Sequence, residues 1–200
     1  MGGRAHREFF DSRALKWEQN CYPREVRVRL VELIPEFGLK PAARVLDVGT
    51  GPGILIPYIR NAIGPRGRIC AFDLSHPMVR QARRKKLLPG DLVLQADAQH
   101  LPFGAGIFDN VVCFAAFPHF DDPALAVREM ARVARSGARV VIAHLLSREE
   151  LARHHGGHKA VADDIIPDAG TMRIFFRDAG LEEPFIEDRP GRYLARAEKP

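Results

Sequence analysis

Short apolar segments alternate with amphipathic segments along most of the chain. The apolar segments predicted to form strands are Arg44–Val48, Arg68–Leu74, Leu92–Ala96, Asn110–Phe117 and Ala138–His144. The segments with apolar residues at helical spacing are Ile54–Ala62, Pro77–Lys86, Pro123–Ala134 and Thr171–Ala179. Strands that are apolar on both faces and separated by helices are typical of a parallel sheet with helices on both sides. The pattern therefore predicts an α/β fold.

The two ends of the chain depart from this alternation. Before Arg44, the pattern predicts two amphipathic helices with a break near Cys21–Pro23. At the other end, the segments PFIED and YLARAEK are joined by RPGR, in which the Pro-Gly pair predicts a turn. We expect these segments to form a hairpin, so that the last strand runs antiparallel to the others. In the segment SGAR, Gly137 is expected to stop the preceding helix.

Composition narrows the class of protein. A chain of 200 residues with 46% hydrophobic content can bury one good core, so we expect a single domain. No apolar run approaches the ~20 residues of a transmembrane helix, and the N-terminus lacks the apolar region of a secretory signal. The three cysteines are far apart, and two lie in apolar strand-like runs, which suits reduced thiols. We predict a cytoplasmic protein that is a monomer or a homodimer.

The net charge of +5 permits a nucleic-acid partner or an acidic substrate. Most of the cations are dispersed, however, and the one cluster is Arg80–Lys86. A solvated helix face explains this cluster without a ligand. A nucleic-acid partner is therefore disfavoured.

A glycine-rich turn follows the first predicted strand. Gly49, Gly51 and Gly53 have the spacing G-x-G-x-G, which differs from the G-x-G-x-x-G of dinucleotide-binding proteins. Such a turn exposes backbone N–H groups and leads into a helix N-terminus. Because ligands of open α/β sheets bind beyond the carboxyl ends of the strands, we expect a ligand against this turn.

The next three strands bring further candidate residues to the same edge of the sheet. Asp73 ends the second strand, where a carboxylate can accept hydrogen bonds from both hydroxyls of a ribose. Asp97 follows the third strand, near the expected edge of an adenine amine, and Phe114 on the fourth can flank a base. The glycine turn together with both carboxylates is much more specific than any one of these features, and it indicates a nucleoside ligand.

At these residues the chain resembles the class I S-adenosylmethionine-dependent methyltransferases, in particular the small-molecule branch with the ubiquinone/menaquinone C-methyltransferases. The matching segments include VLDVGTGPG, AFDLSHPMVRQAR, ADAQHLPF and the stretch from FDNVVCF to VVIAH. The resemblance implies a Rossmann-like sheet of seven strands in the order 3-2-1-4-5-7-6, with S-adenosylmethionine across the tips of strands one to four. The cofactor-binding residues that it implies are Asp47, Gly49, Thr50, Gly51, Gly53, Asp73, Leu74, Met78, Asp97, Ala98 and Phe114. Several of them have a second interpretation: Asp47 as a brace for the glycine turn, Met78 as a core residue, and Gly51 and Gly53 as turn residues alone.

The resemblance also implies that residues 1–40 form a helical lid, within the same domain as the cofactor-binding residues 41–200. Phe10, Trp17 and Tyr22 would then face the acceptor. Core packing of an amphipathic helix explains these aromatic residues equally well.

Histidines are concentrated after the fifth predicted strand. His144, His154, His155 and His158 are half of the eight histidines, and Asp163 and Asp164 follow them. This segment is interpreted either as a substrate-facing solvated loop or as a metal site. The sequence HHGGH lacks the H-x-x-x-H spacing of a helical metal site, so no metal is assigned. His119 is interpreted as a catalytic base or as a histidine that only hydrogen-bonds locally.

These features lead to a predicted function and to alternatives. The leading prediction is an enzyme that transfers a methyl group in line from S-adenosylmethionine to a small-molecule acceptor. An RNA methyltransferase would suit the basic charge, but FAAFPHF is not the N/D-P-P-Y-type sequence expected there. A non-catalytic protein that binds S-adenosylmethionine or a metal through residues 144–158 is the third candidate. The glycine spacing makes a dehydrogenase the weakest.

Overall fold

A computed structural model describes residues 2–157 and 159–200, with side chains from residue 7 onward. The helices are α1 Gly2–Arg13, α2 Trp17–Cys21, α3 Arg24–Leu33, α4 Ile56–Ile63, α5 His76–Ala82, α6 Pro123–Val133, α7 Arg148–His155 and α8 Ala169–Asp178. Short 3₁₀ helices span Ile34–Phe37 and Phe117–His119. The strands are β1 Arg44–Val48, β2 Arg68–Asp73, β3 Leu92–Gln95, β4 Phe108–Phe114, β5 Ala134–His144, β6 Phe185–Arg189 and β7 Arg192–Glu198.

The strands form one sheet in the order β3-β2-β1-β4-β5-β7-β6. The first five strands pair in parallel, and β7 runs antiparallel to both β5 and β6. The predicted order and the antiparallel last strand are confirmed. Because the order reverses direction at β1, the gap between β1 and β4 is the topological switch point at which open α/β sheets bind ligands.

Two apolar clusters cover the two faces of the sheet. Alternate residues of β1 enter different clusters, Leu46 with α6, α7 and α8, and Val45 with α3, α4 and α5. The N-terminal segment forms three helices rather than the two predicted. In the described part of the chain, no helix has the length and apolar character needed to cross a membrane.

The predicted ends of some helices and strands were wrong at positions where a turn sets the actual boundary. α6 ends at Val133, and Ala134 adopts an extended conformation that begins β5. Gly137, the expected helix stop, has a φ of +72° and lies within β5, where the pairing with β4 is irregular. α4 begins at Ile56, so Pro57 falls in its first turn, where a missing N–H costs little.

The histidine-rich segment is partly helical, and the prediction of a loop was wrong there. Ser147 and Glu150 form a capping box, in which each side chain accepts a hydrogen bond from the backbone N–H of the other residue. This cap starts α7, which carries His154 and His155. The helix gives the two side chains defined positions beside the ends of β4 and β5.

Candidate functional site

A cavity of about 800 Å³ lies at the carboxyl ends of the strands and extends to the N-terminal helices. Its volume is in the range of small-molecule and cofactor sites. The predicted site residues that line it are Phe10, Trp17, Tyr22, Asp47, Gly49, Thr50, Gly51, Asp73, Leu74, Met78, Asp97, Ala98, Phe114, His119, His144, His154 and His155. Gly53 does not line the cavity, and His158 lies outside the described residues.

The three glycines of the turn differ in their surroundings, although all have positive φ. A Cβ on Gly49 would lie 2.4 Å from the Cβ of Ala116, and one on Gly53 would lie 3.0 Å from the Cα of Ala82. A Cβ on Gly51 would meet no heavy atom of the described residues within 4 Å. Gly49 and Gly53 therefore allow close packing, whereas Gly51 leaves space beside the cavity.

Asp73 ties the glycine turn to the end of β2. One carboxylate oxygen accepts a hydrogen bond from the N–H of Gly51 at 2.8 Å, and the other accepts from the N–H of Ser75 at 2.9 Å. Burial raises the pKa of Asp73 to about 6, although the two N–H donors stabilise the ionised carboxylate and by themselves lower this pKa. Each oxygen keeps a further lone pair for a ligand hydroxyl.

Asp47 braces the turn from within. Its carboxylate accepts a hydrogen bond from the Thr50 hydroxyl at 2.6 Å, and the residue is 1% exposed. Burial raises the pKa of Asp47 to about 7, and the nearby charge of Asp73 adds to the rise. These contacts match the bracing interpretation, while Asp47 also lines the cavity.

Asp97 has a partly exposed side chain at the edge of the cavity. Its carboxylate accepts a hydrogen bond from the backbone N–H of Gln99 at 2.9 Å. This contact holds the carboxylate in a turn just after β3. Ala98 and Met78 are buried, and they add apolar surface on this side.

Polar contacts that the sequence did not reveal attach the N-terminal helices to the residues at the two ends of α5. The Ser75 hydroxyl donates to Asp11 of α1 at 2.5 Å, and Lys85 donates to Glu18 of α2 at 2.6 Å. Ser75 also caps α5, and a serine that precedes a proline at a helix start could have signalled that role. Its contact with α1 is long-range and has no such signal.

His144 ends β5 and is neutral at physiological pH. Burial is the main cause that lowers its pKa to about 3, and the nearby charges of His119, His155, His154 and Arg29 contribute to the same shift. Its Nδ1 accepts a hydrogen bond from the N–H of Leu146 at 2.9 Å. The neutral ring therefore carries its hydrogen on Nε2.

His119 lies against Asp164 and the aromatic side of the cavity. Its Nδ1 is 2.5 Å from the Asp164 carboxylate, and its ring centroid is 4.8 Å from that of Phe10. The ring of His155 lies 5.2 Å from that of His119. The hydrogen bond of His119 thus spans 45 positions in sequence. The sequence pointed to Asp164 only as one of two carboxylates after the histidine-rich segment, and not as the partner of His119.

The described histidines do not form a metal centre. Within residues 2–157 and 159–200, no group of three or more His, Cys, Asp or Glu side chains is arranged to hold a metal ion. His154 lies 5.9 Å from His155 between ring centroids, and both line the cavity.

Comparison with known proteins identifies the family. A methyltransferase domain model matches residues 46–142. The chain is 32% identical to a ubiquinone/menaquinone biosynthesis C-methyltransferase of Burkholderia mallei, over 74% of this chain and 71% of the relative. It is 36% identical to a phosphatidylethanolamine N-methyltransferase of Cereibacter sphaeroides, over 54% of this chain and 53% of the relative.

A solved structure supports the fold over nearly the whole chain. A chain from the complex that contains the Haloferax volcanii Trm112 methyltransferase activator superposes with a TM-score of 0.80 at 21% identity, covering 98% of this chain and 97% of that chain. This chain spans about a third of the length of one curated relative that it matches, and about half of the length of the Cereibacter sphaeroides relative. The sheet order, the glycine turn and the similarity to the Burkholderia mallei protein agree, and the chain belongs to the class I S-adenosylmethionine-dependent methyltransferases.

Proposed function

We propose that this protein transfers a methyl group from S-adenosylmethionine to a small-molecule acceptor. The observation that carries the proposal is one cavity that runs from the Gly51–Asp73 contact to the cluster of His119, His144 and His155. The cofactor supplies a methyl group that its sulfonium already activates. The protein then has to align the acceptor and exclude water, and alignment can contribute ~7–11 kcal/mol in favourable systems.

The residues on the glycine side fit a sulfonium nucleoside. Asp73 has lone pairs for the two ribose hydroxyls, and the open space beside Gly51 admits a ligand against bare backbone. Asp97 would accept from the adenine amine. Leu74, Met78, Ala98 and Phe114 offer the apolar surface that a base needs.

The histidine side would hold the acceptor. Phe10 and Trp17 lie with ring centroids 5.4 Å apart, and both line the cavity from the N-terminal helices. Their apolar surface suits an organic acceptor and would keep water from the reacting atoms. In this proposal the three helices before residue 34 act as a lid, with Tyr22 packed 6.3 Å from Phe114 between ring centroids.

A small-molecule acceptor is favoured over RNA by the site itself. The cavity is bordered mainly by apolar, aromatic and histidine side chains. Arg7, Arg13 and Arg29 also line it, but Arg13 and Arg29 donate hydrogen bonds to the carbonyls of Phe9 and Gly191, so the lining is not the row of cations that a nucleic-acid backbone requires. The names of the relatives point the same way, since one acts in quinone biosynthesis and the other is named for a phospholipid. His119, which lines the cavity beside Phe10, is the proposed base.

The proposal can be tested with S-adenosylmethionine that carries tritium in its methyl group. The protein is incubated with cell extract that has been divided into small-molecule, RNA and protein fractions. Tritium should enter the small-molecule fraction, and a protein with Asp73→Ala should transfer at least ~30-fold less at limiting cofactor. Label in RNA alone would support the alternative, and failure of calorimetry to detect S-adenosylmethionine binding would overturn the assignment.

A further inference from the structure

Asp164 contacts two imidazoles of the acceptor side at once. Its carboxylate lies 2.5 Å from Nδ1 of His119, and its backbone carbonyl lies 2.7 Å from Nδ1 of His155. Asp164 and His155 are 8% and 6% exposed. The His119 side chain is 15% exposed, at the wall of the cavity. Asp164 and His155 therefore lie in a largely dry environment, where hydrogen bonds are strong and specific.

The segment around Asp164 is itself fixed. The N–H of Asp164 donates to the carbonyl of Val161 at 3.0 Å, and Val161 is 2% exposed. Two positions later, Ile166 is 2% exposed, and its carbonyl accepts from Arg148 Nε at 2.9 Å. Buried apolar anchors on both sides and a backbone hydrogen bond hold the carboxylate in place.

The chemistry of these contacts determines the positions of the ring hydrogens. A carbonyl oxygen only accepts hydrogen bonds, and so does an ionised carboxylate. Nδ1 of His155 must therefore carry a hydrogen, and with Asp164 ionised so must Nδ1 of His119. In the neutral rings Nε2 is then the basic nitrogen. His144 has the opposite arrangement, since its Nδ1 accepts from Leu146 and its Nε2 carries the hydrogen.

We propose that Asp164 is a positioning residue that holds His119 with its hydrogen on Nδ1, so that Nε2 serves as the base for an acceptor that loses a proton on methylation. This inference rests on the proposed methyl transfer. His155 is held in the same form by the backbone of Asp164, and neutral His144 offers a hydrogen-bond donor beside them. The acceptor side thus combines a base with a donor.

The proposed step balances. A lone pair on the nucleophilic atom of the acceptor forms the bond to the methyl carbon, and the carbon–sulfur bond breaks with its electron pair left on sulfur. The proton of the acceptor moves to Nε2 of His119. The resulting imidazolium is stabilised by the Asp164 carboxylate on its other side. The proposed acceptor therefore belongs to one of two kinds of molecule. Either its nucleophilic atom itself carries a hydrogen, or that atom is conjugated to a group that carries one.

The test observes the rings directly, without an acceptor. Protein labelled with ¹⁵N in its histidines is examined by long-range ¹H–¹⁵N NMR, which distinguishes protonated from bare ring nitrogens. The expected result is hydrogen on Nδ1 for His119 and His155, and on Nε2 for His144. In Asp164→Ala, His119 should move to a mixture of forms or to Nε2–H, while His155 keeps its hydrogen on Nδ1, because its partner is a backbone carbonyl.

The controls separate this inference from a general loss of structure. Asp163→Asn removes a charge from the adjacent, exposed residue and should leave all three patterns unchanged. Asp164→Ser, whose side chain is too short to reach His119, serves if Asp164→Ala does not fold. A neutral Nε2–H form of His119 in the natural protein, or an unchanged His119 pattern in both Asp164 variants, overturns the inference.

Activity supplies the functional readout. In Asp164→Ala, tritium transfer to the small-molecule fraction should fall roughly tenfold or more, with S-adenosylmethionine affinity within about threefold of the natural protein. An unchanged transfer rate overturns the positioning role. Loss of cofactor binding by the natural protein would instead overturn the proposed function and leave the ring assignments standing.

Discussion

The affinity for S-adenosylmethionine should depend on pH through Asp73. In the proposed complex its carboxylate accepts hydrogen bonds from two ribose hydroxyls, and only the ionised form can accept at both oxygens while also holding the N–H groups of Gly51 and Ser75. Burial places its pKa at about 6. Since the cofactor binds the ionised form, binding should weaken as the pH falls through this value.

The magnitude follows from linkage between protonation and binding. With a pKa of about 6, the apparent Kd should be nearly constant above pH 7.5 and about 11-fold higher at pH 5. Asp73→Asn should bind more weakly at all pH values, by about 2–4 kcal/mol or ~30-fold to several hundred-fold, because it loses charge-assisted hydrogen bonds. Its remaining affinity should vary less with pH.

Titration calorimetry between pH 5 and 8 measures both effects. Asp47→Asn is the matched control, because Asp47 is the other carboxylate of the turn with a raised pKa, at about 7. This variant should keep the change in affinity near pH 6. A flat pH profile in the natural protein, or a profile that survives in Asp73→Asn and disappears in Asp47→Asn, would refute the assignment of Asp73.

Three further predictions concern other parts of the molecule. Gly51→Ala should lower cofactor affinity at least tenfold, as measured by calorimetry. The matched control is Gly106→Ala, since Gly106 has a similar φ (+69° against +55°) and equally open surroundings but lies away from the cavity. This control should lower the free energy of unfolding by only the ~1–2 kcal/mol of backbone strain and leave cofactor affinity unchanged. Tyr193→Phe should leave the free energy of unfolding, measured by urea denaturation, unchanged or raise it by up to ~1 kcal/mol. The reason is that the buried Tyr193 hydroxyl has no hydrogen-bond partner among the described residues. Tyr193→Ala, which removes the buried ring as well, should lower the free energy of unfolding by ~3–5 kcal/mol. Asp91→Ala should lower the free energy of unfolding by ~3–5 kcal/mol, because the fully buried Asp91 carboxylate binds both Arg60 and the N–H groups of Ile69 and Leu88. The control is Asp178→Ala, at an exposed ion pair, which should cost less than ~0.5 kcal/mol. A loss in Asp91→Ala no larger than that of the control would contradict this reasoning.

The sequence by itself determined the class of fold and the edge of the sheet that carries the site. Alternation of buried strands with amphipathic helices is a local property, and it led to the parallel sheet and the terminal hairpin. The glycine turn, Asp73 and Asp97 each directly follow a strand or end one. Because parallel strands present their carboxyl ends at one edge, their position along the chain was enough to bring them together.

Only the tertiary structure decided what each glycine of the turn does. Gly49, Gly51 and Gly53 have the same residue type and similar φ, so the sequence cannot distinguish them. The difference arises from distant neighbours, Ala116 and Ala82 at the outer two positions and open space at the middle one. Helix ends were decided in the same way, as β5 begins at Ala134 because it pairs with β4, although Gly137 was the stronger local stop signal.

The proposed acceptor side depended still more on long-range contacts. The sequence showed a group of histidines after β5, but not which carboxylate meets which ring. His119 and Asp164 are 45 positions apart, and they meet because a 3₁₀ turn after β4 and the segment beyond α7 pack over the same strand ends. Which ring nitrogen of each imidazole carries the hydrogen then follows from the group that its Nδ1 contacts. This group is a carboxylate for His119, a carbonyl for His155 and an N–H for His144. Hydrogen bonds of this kind are decided by three-dimensional packing, whereas the local pattern of apolar residues decides only which segments become strands and helices.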